Sequence, residues 1–421
     1  MKTKAVRLYG ENDLRLEEFE LPAIKEDEIL AKIVSDSVCM STHKEAIQGT
    51  KHKRVPADIA VNPVIVGHEL CGEIIEVGKK WRDKYSEGMK FSLQAGFNDP
   101  ADIYAAAGYS FKYCGGDATY IILPPVAMER DCIIPYTGDA FYLGSLSEPM
   151  SCIIGGFHVN YHTRPGSYVH DMGIKEGGAL ILIAGHGPMG LGAIDYALHS
   201  ARKPRLLVVT GTNDTGLSRA ASLYTAEEAA KNGVELRYFN TKTSPDAAAE
   251  LLKLTNGKGY DDVYVFAPAA HLVELGVAVM GYDSCLNFFA GPTDKAFSAN
   301  FNFYNLHYNA AHVAGNSGGN TGDLVEALDL ISRGLINPSA MVTHICGLDA
   351  VADTVINLPD IPGGKKLAYT HISLPLTAIT EFGEKGKTDP LFAELDRLVK
   401  KHNGLWNAEA EKYLLAHAES I

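Results

Sequence analysis

Long apolar runs are missing from this chain of 421 residues, and none reaches the length of a bilayer span, so no membrane-embedded segment is expected. Cysteine is scarce: seven residues, odd in number and scattered, do not read as a disulfide framework. Basic residues are in deficit, 38 Lys and Arg against 51 Asp and Glu. The resulting formal charge of −13 argues against nucleic acid or an anionic membrane as the main partner, while leaving room for a local basic pocket. The N-terminal stretch alternates as a strand does and lacks the apolar centre of a signal peptide. No internal repeat or low-complexity tract is present. These absences predict a cytoplasmic protein whose reduced thiols are free to bind metal. What is present, 46% hydrophobic and 21% charged residues, is the composition of a globular chain long enough for two domains.

The most informative stretch is 179–192. An apolar run, as in a buried parallel strand, leads into Gly185-His186-Gly187-Pro188-Met189-Gly190, which fits G-x-G-x-x-G. Gly185 permits the tight turn, Gly187 a close approach of pyrophosphate to the backbone, and Gly190 close packing of the following helix, whose N-terminus faces the phosphates. A second apolar run at 206–209 follows at βαβ distance. Strand-like and helix-like runs then alternate to about residue 313, with helices expected at 217–230, 245–254 and 272–279 and a strand at 286–290. That alternation predicts a doubly wound parallel sheet. Thr212 and Asn213, after the second strand, and Gly291 and Asn316, further on, join the expected cofactor-binding residues.

The first part of the chain reads differently. Residues 2–38 are short strands and turns, Cys39 opens a loop or helix start, and two β-type runs bracket Gly67-His68-Glu69. A strand at 119–123 follows, then Gly144–Cys152, containing Glu148-Pro149, leads into a helix-like stretch to about Tyr161, and an insertion-like loop comes at 163–178. Past Asn316, residues 321–333 form an amphipathic pattern with Gly334 as its stop. Cys39, His68, Glu69 and Glu148 are the candidate metal ligands. Thiolate, imidazole and carboxylate together suit Zn²⁺, and three protein ligands with one open position is the catalytic arrangement. The ligands are far apart in sequence, and taken singly Cys39 reads more often as a small core residue, Gly67-His68-Glu69 as polar turn sequence, and Glu148 as a helix-start charge.

Cys39, then Gly67-His68-Glu69, then Glu148-Pro149, then the glycine motif, with Pro338 and Val342-Thr343-His344 near the close, resembles the zinc-dependent medium-chain dehydrogenase/reductase family. The likeness runs to about residue 375, and Glu148-Pro149 resembles the sorbitol-dehydrogenase branch. It implies a β-rich GroES-like catalytic domain at 1–155 and 313–421, a Rossmann domain at 156–312, and a cleft at their junction. It implies one catalytic zinc on Cys39, His68 and either Glu148 or Glu69. His68 and Glu69 are neighbours, so both can face one site only if the backbone bends there. Two departures matter. The family's four-cysteine lobe is reduced to Cys114, so no structural zinc is expected. Lys44 stands where the family carries the histidine ending its proton path, with His43 one residue early.

The implied chemistry is carbonyl/alcohol interconversion, with Ser41 passing the alcohol proton outward towards Lys44 or His43, and Glu69 among the catalytic residues. Gly211 stands where NAD-preferring sheets place a carboxylate, so the sequence leans to NADP(H) over NAD(H); Asp214 could still supply that acid, and Arg219 reads as a helix-surface residue. The likeness implies a ketose phosphate/polyol phosphate pair, L-sorbose 1-phosphate and D-glucitol 6-phosphate. The alternatives are an unphosphorylated polyol or secondary alcohol, or outside this chemistry a zinc-free quinone-reductase-like or non-catalytic dinucleotide-binding protein. His43, Lys44, Lys51, Lys53 and Arg54 cluster in sequence but read equally as a solvated loop. A homodimer or homotetramer is expected, with the aromatic run 301–308 and the C-terminal extension as candidate interfaces.

Overall fold

The computed structural model describes residues 1–421 and divides into two compact units. The first comprises Met1–Pro149, Asn320–Arg333 and Met341–Ile421; the second comprises Met150–Gly319 and Gly334–Ala340.

In the first unit an eight-stranded sheet runs in the order Thr377–Ala378, Val342–Gly347, Lys365–Tyr369, Ile29–Val38, Leu70–Val77, Lys90–Leu93 and Ile133–Pro135, with Tyr120–Leu123 also paired to Ile29–Val38. Ile29–Val38 has partners on both edges and is buried along nearly its whole length, as its apolar content requires. A three-stranded sheet of Asp13–Glu20, Lys2–Gly10 and Val64–Ile65 completes the GroES-like, β-rich architecture. The chain past residue 375 is not an appendage. Helices Phe382–Lys385, Pro390–Lys401 and Ala408–His417 bury Phe382, Phe392, Leu395, Trp406 and Leu414 in one core with Ile345, Leu367 and Tyr369 of the sheet.

The second unit is a six-stranded parallel sheet in the order Glu235–Asn240, Leu206–Gly211, Ala179–Ile183, Tyr260–Val265, Met280–Asn287 and His312–Ala314. The doubly wound Rossmann order follows from the strand–helix alternation. Two expectations change in detail. The helix expected at 217–230 is two helices, Asp214–Leu223 and Ala226–Lys231, because Thr225 leaves the helical conformation and caps the second through Glu228 N–H. The strand expected at 286–290 begins at Met280 instead.

The insertion at 163–178 is a hairpin, Tyr161–Thr163 against His170–Met172. Its root is fixed by a buried polar network. His162 lies between the carbonyl of Asp283 (2.8 Å) and the carboxylate of Asp262 (3.2 Å), and Thr163 N–H and Oγ1–H donate to Asp283. No helix is long and apolar enough to cross a membrane.

Candidate metal and dinucleotide site

Cys39 ends the central strand Ile29–Val38 and is the N-cap of the helix Met40–Gln48, its Sγ accepting from Ser41 N–H at 3.5 Å. That cap turns the thiol towards residues 67–69. Gly67 has φ 88°, in the left-handed region, and a Cβ there would run into the Asp36 carboxylate and Asp117 backbone. This is the bend that lets neighbouring residues face one site: the donor atoms of Cys39, His68 and Glu69 all lie within 4.8 Å of one another. Glu148, in the helix Phe141–Val159, stands outside that trio, but its charge acts on Cys39 and on Tyr109.

Burial pushes the Cys39 thiol up to about 12 and the His68 imidazole down to about 4. Their neutral forms are therefore favoured until a cation shares the space. The Glu69 carboxylate is 1% exposed; its Oε1 pairs with the ammonium of Lys365, while Oε2 has no hydrogen-bond partner. Burial works against the Lys365 charge, yet Cys39, Glu69 and Glu148 hold its ammonium above the usual lysine range. A thiol, an imidazole and an orphaned carboxylate oxygen converging in a buried space fit Zn²⁺. Two polar groups steady His68: Thr42 Oγ1 lies 3.3 Å from Nδ1 and Tyr109 OH 3.5 Å from Nε2. A hydroxyl on the second ring nitrogen is the kind of outer contact that fixes an imidazole ligand's tautomer.

Sequence reasoning missed Lys365, Thr42 and Tyr109. Lys365 reaches the site because Lys366 pairs with Val38, which sets Lys365 beside Cys39 across more than three hundred residues. Its only local signal is a pair of lysines opening a buried strand. Of the residues named for the proton path, Ser41 is half-buried beside Cys39. Lys44, on the same helix, is half-buried, and burial lowers its pKa. His43 is tied to Val355 carbonyl through Nδ1 at 2.9 Å.

In the second unit, Ala179–Ile183 leads through Ala184 (φ 56°) into the glycine motif. The helix Pro188–His199 begins at Gly187, which provides no side-chain cap, and a Cβ added at Gly187 would meet nothing within 4 Å. Met189 and Gly190, which follow the donorless Pro188, carry the first-turn N–H groups that precede the first helical bond, from Leu191 N–H to Gly187 carbonyl at 2.8 Å. Gly190 sits directly on the Gly185 backbone, where any side chain would collide. Gly211 ends the second strand, and a Cβ there would meet His186 Nδ1 at 2.5 Å. His186 also lies against Gly216, and its Nδ1 is buried without a partner. Thr212 is exposed. Asn213 caps the next helix, accepting from Thr215 N–H at 2.9 Å. Asp214 accepts from Asn240 at 2.6 Å. Arg219, expected on the helix surface, is tied down instead: it is half-buried and donates to Ala340 carbonyl at 2.8 Å. Gly291 is exposed in the turn after Met280–Asn287, and the Asn316 amide donates to Gly318 carbonyl at 3.0 Å.

Comparison with known proteins agrees with both halves of this geometry. The pattern of the alcohol dehydrogenase GroES-like domain matches residues 25–129, and that of the zinc-binding dehydrogenases matches residues 188–333. The chain is 52% identical over 416 residues to the Escherichia coli protein YggP, covering 99% of this chain and 97% of that one. It is 51% identical over 414 residues to mannitol-1-phosphate 5-dehydrogenase of Aliivibrio fischeri, covering 98% and 97%. It is 48% identical over 420 residues to L-sorbose 1-phosphate reductase of Klebsiella pneumoniae, covering 100% and 98%. With a GroES-like unit carrying the Cys39–His68–Glu69 cluster and a Rossmann unit carrying the glycine motif, the chain belongs to the zinc-binding, medium-chain dehydrogenase family.

Proposed function

We propose that this protein transfers hydride between NAD(P)(H) and a ketose phosphate/polyol phosphate pair, with L-sorbose 1-phosphate and D-glucitol 6-phosphate as the first pair to test. The observation that carries the reading is the converging donor trio Cys39, His68 and Glu69, in a chain about half identical, over nearly its whole length, to two proteins named for sugar-phosphate oxidation or reduction.

Cys39 and His68 would hold the zinc, with Glu69 Oε2 or Glu148 as third donor. Bound there, zinc supplies a Lewis acid for the substrate oxygen. Lys365 holds the Glu69 carboxylate in place, and Thr42 keeps the His68 ring in one tautomer. Ser41, beside Cys39, takes the alcohol proton at Oγ during oxidation and returns it during reduction. Lys44 carries it to solvent, helped by an ammonium that burial makes easier to deprotonate. The first turn after Gly187 receives the cofactor pyrophosphate, with Gly291 and Asn316 contributing further along. NADP(H) is favoured over NAD(H), because Gly211 offers no carboxylate to repel a 2′-phosphate.

The test is oxidation of NADPH and of NADH by L-sorbose 1-phosphate, fructose 6-phosphate and unphosphorylated sorbose, with zinc measured in the same preparation. Turnover of a phosphate ester with about one zinc per chain, as a catalytic site without a structural one requires, is expected. Turnover of unphosphorylated sugars alone moves the reading to the polyol dehydrogenases. A preparation that binds nicotinamide and reduces nothing refutes it.

A further inference from the structure

We infer that Arg54, lying over the ring of Tyr109 beside the metal-donor cluster, is the subsite that receives the phosphate of the substrate. The inference rests on the sugar-phosphate reading above and assigns that phosphate a place. Tyr109 is 4% exposed; its hydroxyl lies 3.5 Å from His68 Nε2, and the two rings are 5.0 Å apart. The Arg54 guanidinium carbon lies 5.3 Å from the centre of the same tyrosine ring. One tyrosine therefore has a metal-donor histidine at its hydroxyl end and a guanidinium against its ring. In L-sorbose 1-phosphate the phosphate sits on the carbon next to the reacting carbonyl, so with that carbonyl at the donor cluster the phosphate would meet this guanidinium.

The cations clustered in sequence around Arg54 separate in space. Lys51 pairs with Glu11 at 2.7 Å, and Lys53 lies over the ring of Tyr104, exposed to solvent. Arg54 is half-buried and makes a ring contact, but it forms no ion pair. Its charge acts on His68, on the buried Glu45 and on Tyr109, so it lies within electrostatic reach of the donor cluster. A half-buried cation without a counter-ion is costly, and an anionic ligand offsets that cost. The position is held from both sides: Arg54 N–H donates to His52 Nδ1 at 3.3 Å, and Ser110 Oγ–H donates to Arg54 carbonyl at 2.9 Å, tying this segment to the loop that carries Tyr109. His52 in turn stacks on Tyr109 with ring centres 5.4 Å apart. Guanidinium is the side chain suited to this task, because its planar fork matches two phosphate oxygens at once.

The experiment compares zinc-loaded wild type with Arg54→Gln and Arg54→Lys, titrating D-glucitol 6-phosphate and D-glucitol by calorimetry and measuring KM for both in the oxidation direction. Removing the charged hydrogen bonds should weaken binding of the phosphate ester about 10- to 100-fold and lower the preference for it over free glucitol by the same factor. Arg54→Lys, which keeps the charge but loses the fork, should fall between the two. If Arg54→Gln does not fold, Arg54→Lys with at least a severalfold weakening carries the test alone. An unchanged preference in either folded variant, beside a wild type that turns over the phosphate ester, overturns the subsite and leaves the proposed function standing. Equal weakening for glucitol and its phosphate also overturns it, since that marks a structural role. A wild type that neither binds nor turns over phosphate esters, while turning over free sugars, overturns the proposed function and the subsite together.

Discussion

Gly211 shows how one missing side chain bears on cofactor choice. It ends the second strand of the Rossmann sheet, and His186 of the glycine motif fills the space a side chain would need. An aspartate introduced there must displace the imidazole before it can reach a ribose hydroxyl. We predict that Gly211→Asp combined with His186→Ala lowers the NADPH/NADH ratio of kcat/KM about tenfold or more, by setting a carboxylate against the 2′-phosphate. Gly211→Asp alone should give a smaller change, with a lower melting temperature from the displaced ring. Steady-state kinetics with both coenzymes checks this, and a ratio unmoved by the double substitution refutes the role of Gly211. The absence of the carboxylate was legible in the sequence, because the strand's end can be counted from the glycine motif. The position of His186 was not, since a side chain's direction inside a turn depends on backbone angles that no local pattern sets. Cys39, His68 and Glu69 divide in the same way. Their chemistry can be read from the chain, but whether His68 and Glu69 share a site depended on the bend at Gly67.

Among the elements, the helix Phe141–Val159 carries the heaviest constraint, since it presents Glu148 towards the donor cluster. Its N-terminus is satisfied from the far end of the chain: the Glu411 carboxylate accepts from Phe141 N–H at 2.7 Å and Tyr142 N–H at 2.8 Å, and from Tyr369 O–H at 3.0 Å. Glu411 is 2% exposed, so these are hydrogen bonds away from water, and removing the acceptor strands two buried donors. We predict that Glu411→Ala destabilises the protein by about 2–4 kcal/mol, from a lost cap and two orphaned N–H groups. It should also weaken zinc binding, although Glu411 touches none of the donors. Urea denaturation and zinc competition with a chromophoric chelator measure the two effects. A destabilised variant with unaltered zinc affinity would separate the helix's anchorage from the site. The later turns of the helix were visible in sequence, but its start at Phe141 and its anchor were not: Glu411 lies 270 positions from Phe141, beyond the reach of any periodicity. The hairpin at 163–178 is the same case, because the groups that fix it, Asp262 and Asp283, lie in the fourth and fifth strands of another sheet.

Across the whole molecule, the buried titratable groups set how stability responds to pH. Burial raises the Glu411 carboxyl to about 7, and burial first, with repulsion from Asp117 on Asp36 and from Glu69 on both, raises Asp36 and Asp117 well above the carboxylate range. For these groups the folded pKa exceeds the unfolded one. Their contribution is complete below about pH 4, the unfolded value, and is lost as pH rises through the folded value. His162 has the same sign: burial opposes its charge, but Asp262 and Asp283 raise its pKa, so its contribution falls away above the ordinary histidine value. Burial lowers His68, with no zinc bound, and His344 and His371 to about 4, with the opposite sign: their contribution is complete above about pH 6.5 and is lost as pH falls towards 4. Between about pH 4 and 6.5 the two sets oppose each other. Between about pH 6.5 and 8 the histidines with lowered pKa have nothing further to add and only the falling set remains; above about 8 Lys366, lowered to about 8 by burial, adds stability back. Zinc-stripped protein should therefore melt highest somewhat below neutrality and lose stability from there to about pH 8. Glu411→Gln, which keeps an acceptor but carries no titrating charge, should flatten that loss by up to about 3 kcal/mol. Calorimetric melts of chelator-treated protein across pH 5 to 8.5 decide it: a melting temperature that climbs through pH 7 to 8 would mean that the buried carboxyls ionise in the folded state without cost, and the pattern of buried acids would need another explanation.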